Sequence, residues 1–104
     1  MSLARRQQIE TLLAQQPRDL MLRYMLAMEY LSEGAEEQYF PLFRALMAES
    51  YLPAYFRAAQ QWAAMEQFDE ARAALRDGIE LARKQGDLKT AGEMGELLAS
   101  IGKS

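Results

Sequence analysis

The 104 residues include no histidine and no cysteine. Without cysteine there is no disulfide, no thiolate metal site and no redox pair. Without histidine, zinc, iron and copper sites built on imidazole are excluded, and the commonest general base is missing. Valine and asparagine are also absent, and isoleucine is scarce (Ile9, Ile79, Ile101). Strands draw on β-branched residues, so a sheet protein is not expected. Basic residues are outnumbered: 12 Lys and Arg face 15 Asp and Glu, for a net charge of −3. General nucleic-acid binding depends on clustered cations that neutralise phosphates, and Arg5-Arg6 and Arg83-Lys84 are the only basic pairs. Both read as helix-surface charge. Long apolar runs are missing too. The uncharged stretch 11–17 is short and carries two glutamines, so neither a signal peptide nor a membrane span is expected. These absences predict a soluble, cytoplasmic protein with no nucleic-acid or membrane partner.

What remains is helical material. Half the residues are hydrophobic and 26% are charged, a globular composition, and the length suits one domain. Alanine, leucine, glutamate, glutamine, arginine and methionine are abundant, and all favour helix. Pro17, Gly34, Pro53 and Gly86 separate segments of helical periodicity. The first, 3–16, carries Ile9, Leu12 and Leu13 on one face and stops at Pro17. The second, 19–33, can be capped by Asp19 and is apolar nearly all round, which predicts a helix sandwiched between neighbours. In the third, 36–49, Pro41 kinks a helix that starts at Glu36 but suits the first turn of one that starts near Phe40. The start at Glu36, with a distorted opening turn, is the favoured reading. The fourth, 53–66, places Pro53 in its first turn. The fifth, 69–85, has Asp69 as its expected cap and a Glu80–Lys84 pair worth about 0.2–0.5 kcal/mol. The sixth, 87–101, is capped by Asp87, and its Gly92 and Gly95 have the spacing of a close helix contact.

Segments two and three align with four and five at an offset of 32 residues: Leu26 with Ala58, Ala27 with Ala59, Tyr30 with Trp62, Gly34 with Glu66, Phe43 with Leu75. The run Tyr55, Ala58-Ala59, Trp62, Phe68, Ala71, Leu75, Gly78 resembles the tetratricopeptide repeat (TPR) family. The first copy departs from that pattern, with Arg23 at the first aromatic position and Tyr39 where a small alanine belongs. The resemblance implies an all-α fold of about six helices, in antiparallel hairpins stacked as a short right-handed superhelix. It implies a single domain over 1–104: a capping helix at 3–16, repeats at 19–50 and 52–85, and a capping helix at 87–101. Ala59 and Ala71 would permit close helix approach, with Trp62 and Phe68 filling the space between turns.

Residues able to do chemistry are few. Glu36-Glu37 and Asp69-Glu70 sit at expected helix starts, where negative charge is favoured, and neighbours on a helix diverge by about 100°. Glu29, set among apolar residues, reads as a charge that reaches solvent or an arginine such as Arg57. The hydroxyls have no histidine to activate them, Lys84, Lys89 and Lys103 are expected to be exposed, and no glycine loop cradles phosphate. No catalysis, cofactor or metal is expected. By the resemblance, the first helix of each hairpin lines a concave groove. Its positions are Met21, Tyr24, Met28 and Leu31 in the first copy, and Phe56, Gln60 and Ala63 in the second, with Arg57 beside them. The methionine–tyrosine stripe also reads as core. Lysine and asparagine, which in one TPR subtype clamp a C-terminal carboxylate, are replaced here by Tyr24, Met28 and Gln60. The expected function is a protein–protein interaction module that takes a partner helix or peptide in an apolar groove. The alternative is a structural homodimer whose twin covers the same stripe.

Overall fold

A computed structural model describes residues 2–102, with side chains over 4–102. Those residues form six α-helices and no strand: α1 (Ser2–Gln15), α2 (Leu20–Ser32), α3 (Glu36–Ala48), α4 (Leu52–Ala64), α5 (Phe68–Lys84) and α6 (Leu88–Ser100). Helices that follow one another across short turns pack together: α1 with α2 and α2 with α3, then α4 with α5 and α5 with α6. The all-helical hairpin architecture expected from composition and periodicity is therefore present. The chain divides after Tyr51 into two compact units, Met1–Tyr51 and Leu52–Ser104.

Two helices begin on an aspartate cap. The Leu22 N–H donates to Asp19 Oδ1 at 3.0 Å, and the Thr90 N–H donates to Asp87 Oδ1 at 3.1 Å. Each bond satisfies one amide that the first helical turn would otherwise leave open. Asp69 does not cap α5, contrary to expectation. The helix starts one residue earlier, at Phe68, with Gln67 in the cap position and no side-chain cap bond, while Asp69 pairs with Arg72 at 2.8 Å. Pro41 lies inside α3, which does start at Glu36. Proline cannot donate to the carbonyl four residues back, and Glu37 and Pro41 are both exposed, so the missing bond falls on the water-facing side of the helix.

Helix ends share one device. At α2 the Ala35 N–H donates to the Tyr30 carbonyl and the Gly34 N–H to that of Leu31. The same pair of bonds recurs at α3 (Tyr51 to Leu46, Ser50 to Met47), at α4 (Gln67 to Trp62, Glu66 to Ala63) and at α5 (Asp87 to Ala82, Gly86 to Arg83). This is the Schellman arrangement, and it needs a left-handed residue at its centre. Gly34 (φ 71°) and Gly86 (φ 75°) adopt that conformation without steric cost, whereas Ser50 (φ 60°) and Glu66 (φ 61°) hold it against their own Cβ.

In the first unit the core is Ile9, Ala27, Tyr39, Phe43 and Leu46. Phe43 is surrounded by rings, with Tyr39 at 5.9 Å and Tyr24 at 6.3 Å. Tyr39 is buried, and the position where the repeat pattern wants alanine is filled by an aromatic core residue. The second unit is built differently. Ala54, Ala58, Ala59, Ala71, Ala74 and Ala82 are buried, and the volume is supplied by Trp62, Leu75 and Met94. Full burial of a leucine or methionine is worth roughly 1.5–3 kcal/mol, so these few large residues carry much of the unit's stability.

Two expectations about packing are overturned here. Phe68, expected to fill space beside Trp62, is the first residue of α5 and is 37% exposed. Gly92 and Gly95, expected at a close helix contact, face open space, since a Cβ on either would meet nothing within 4 Å. The close approach is at Gly78. A Cβ there would lie 2.7 Å from Met94 Sδ on α6 and 2.9 Å from Tyr55 Cβ on α4.

Candidate functional site

Helix α2 has three faces, set by its turn of about 100° per residue. One face meets α1. Glu29, 9% exposed, lies 3.5 Å from Arg5, and Arg6 Nε donates to Glu33 Oε2 at 3.2 Å. The Arg6 guanidinium also sits 5.0 Å above the Tyr30 ring. The bond to Glu33 holds the Arg6 pKa above its usual value against a smaller opposing effect of burial. The partner of Glu29 is thus Arg5 rather than Arg57.

The second face meets α3. Arg23 donates to Glu49 at 3.0 Å and to the Pro17 carbonyl at 2.9 Å, so the arginine at the expected aromatic position ties the first turn of α2 to the residue that follows α3 and to the turn that precedes α2. Tyr24 packs its ring against Phe43 and, at 5.5 Å, against Tyr51. Burial raises the pKa of the Tyr51 hydroxyl, and Tyr24 and Asp19 add to the rise. The Tyr39 hydroxyl is raised for the same first reason, with Glu36 contributing.

The third face carries Met21, Met25 and Met28. Met21 is 61% exposed, Met25 is 40% exposed, and Met28 is half-buried. The helix is sandwiched between α1 and α3, as its apolar pattern predicted, but only Ala27 and Glu29 of α2 are buried and its third face is left open. Of the four groove residues expected on α2, Met21 is the most exposed. Tyr24, Met28 and Leu31 are half-buried, and Tyr24 is drawn into the ring cluster on the α3 side. Met25 belongs to the exposed face and was not among the expected residues. Its signal was present, four residues after Met21, but an all-round apolar pattern gives no means of separating covered faces from open ones.

In the second unit the expected residues lie on α4. Phe56 and Gln60 are half-buried and Arg57 is exposed, with Arg57 Nη1 donating to Gln60 Oε1 at 3.4 Å. Sequence reasoning missed a second feature of this unit: an open depression of about 460 Å³ lined by Arg76, Ile79, Glu80, Arg83 and Lys84 of α5 and by Leu98 of α6.

The acidic pairs do not converge. Asp69 is committed to Arg72, and among the described residues no group of three or more His, Cys, Asp or Glu side chains is placed to hold a metal ion. Among the same residues no helix is long and apolar enough to cross a membrane. The arrangement offers apolar and charged helix flanks. Comparison with known proteins returns no match: no family model, no curated protein and no solved structure is similar to this chain.

Proposed function

We propose that this protein is a non-catalytic, TPR-like binding module, whose α2 face of Met21, Met25 and Met28 receives an apolar segment of a partner protein. The observation that carries the reading is the division of labour on α2. Two faces are spent on α1 and α3, and the third presents unbranched, polarizable side chains to solvent. Methionine has three rotatable bonds and adapts to differently shaped partners, which suits a surface that recognises by shape and apolar area. Leu31 and Tyr24 flank this face, and within the second unit the family resemblance separately implies a partner-binding role for Phe56, Arg57 and Gln60 of α4. The repeat offset of 32 residues and the hairpin architecture support the family resemblance on which the α4 part depends.

The experiment is a selection of amphipathic helical and extended peptides on immobilised protein, followed by titration of the selected peptides. Binding should fall at least about tenfold in a Met21→Glu, Met25→Glu variant, because a charge placed in an apolar contact costs more than 1.4 kcal/mol. Selected peptides that bind wild type and variant alike would remove the basis for the proposal. Sedimentation of the free protein covers the second reading. A stable dimer that dissociates in the same variant would make a second copy of the chain the occupant of this face.

A further inference from the structure

The depression between α5 and α6 has a chemistry of its own. Arg76, Ile79, Glu80 and Arg83 follow one another at three, four and seven residues, the spacing of one helix face. Ile79 and Leu98 supply an apolar floor, and Arg76, Arg83 and Lys84 outnumber Glu80 around it. Glu80 is engaged by Lys84 at 3.7 Å. Arg76 and Arg83 are exposed and have no hydrogen-bond or ion-pair partner among the described residues. In a chain of net charge −3, two unanswered guanidinium groups on either side of an apolar strip are a local reversal of sign.

We infer that the α5–α6 depression docks an acidic amphipathic helix of a partner protein, with its carboxylates on Arg76 and Arg83 and its apolar residues on Ile79 and Leu98. The spacing fits that occupant. Seven residues at 1.5 Å rise separate the two arginines by about 10 Å, the distance between acidic residues at i and i+7 of a second helix. Apolar residues at i+3 and i+4 of that helix then fall between the charges, over Ile79. Guanidinium favours carboxylate because its planar fork can donate two parallel hydrogen bonds. The depression is open to solvent, which suits a row of side chains from a helix better than an enclosed small molecule. This surface is separate in sequence and in unit from the methionine face of α2, and the inference does not rest on that reading.

The test uses the full chain and three fluorescent probes. One is a helical peptide with Glu at i and i+7 and Leu at i+3 and i+4, the second is the same peptide with Lys in place of Glu, and the third is a single-stranded oligonucleotide. Fluorescence anisotropy should show the acidic peptide binding at least about tenfold more tightly than its lysine counterpart and than the oligonucleotide, with affinity falling as salt rises. Arg76→Glu with Arg83→Glu should abolish that preference, Arg76→Gln with Arg83→Gln should weaken it by an intermediate factor, and Arg18→Glu, an exposed charge reversal in the first unit, should leave it unchanged. Equal binding of the acidic and basic peptides, tighter binding of the oligonucleotide, or indifference to reversal of both arginines would each overturn the inference. Loss of the acidic peptide in the Arg18→Glu variant would show that general charge, not the α5–α6 depression, drives binding, and would overturn it as well.

Discussion

Substituting alanine for Gly78 and for Gly92 gives two variants with the same chemistry and opposite expected outcomes. In each, alanine removes the conformational freedom of a glycine inside a helix, a gain of about 1 kcal/mol. At Gly92 nothing lies within 4 Å of the new methyl group, so the gain stands alone. At Gly78 the methyl group would meet Tyr55 Cβ at 2.9 Å and Met94 Sδ at 2.7 Å. The methionine sulfur is part of a flexible chain and can move aside. Tyr55 Cβ is fixed to the backbone of α4, so relief there requires α4 and α5 to part by several tenths of an ångström. Overpacking of this kind costs about 1–3 kcal/mol, which cancels or exceeds the propensity gain. Gly78→Ala should therefore be destabilised by up to about 2 kcal/mol and Gly92→Ala stabilised by up to about 1 kcal/mol. For a chain of this size each kcal/mol moves the melting temperature by roughly 4–8 °C, so thermal unfolding followed by circular dichroism separates the two variants clearly. If Gly78→Ala melts as high as Gly92→Ala, α4 and α5 do not approach each other as described. Adding Met94→Ala to Gly78→Ala should not restore stability, because the Tyr55 contact remains and a cavity is added.

Two further outcomes follow from helix ends. Ser50→Gly and Glu66→Gly should each raise stability by about 0.5–1 kcal/mol in urea unfolding, since both residues pay for a left-handed backbone that glycine adopts freely; a loss of stability in both would contradict the Schellman geometry. The Asp87 carboxyl is held below the ordinary aspartate value, first by the Thr90 hydroxyl at 2.8 Å and then by the Thr90 backbone amide. A folded-state pKa below the unfolded one means that this contribution is present above the unfolded value and is lost as pH falls through the lowered folded value. Carboxyl chemical shifts across an acid titration should place Asp87 below the ordinary aspartate range, and a midpoint at or above that range would show that the cap is not formed.

Most of the helices could be read from the sequence because local and tertiary signals agree there. Gly34 and Gly86 ended helices as expected, Asp19 and Asp87 began them, and the Pro41 helix started at Glu36. The start of α5 was misread because Asp69 is a good cap in isolation, whereas the three-residue turn 65–67, with Glu66 at its left-handed centre, delivers the chain into helix at Phe68. Glycine gave its message in the wrong place for a related reason. The Gly92–Gly95 spacing is visible in sequence, but whether a small residue is needed depends on what lies opposite, and only Gly78 has a backbone-anchored neighbour. The candidate site was partly legible. The methionine stripe stood out, but Tyr24 was assigned to the open face although it packs on Phe43. Arg76 was passed over and Arg83 was read only as helix-surface charge, because a charged helix face is the ordinary surface of a protein, and its apolar complement, Leu98, comes from another helix.

The turns closed by Gly34, Ser50, Glu66 and Gly86 are each three residues long, as the helix limits on either side require. Their shape is fixed by main-chain hydrogen bonds, and none has slack enough to serve as a flap. On the binding role proposed above, recognition falls to helix flanks that are already in place before a partner arrives. Little chain ordering is left to oppose association, so binding should be quick and tolerant of cold, and a partner's own disorder would dominate whatever entropy is lost.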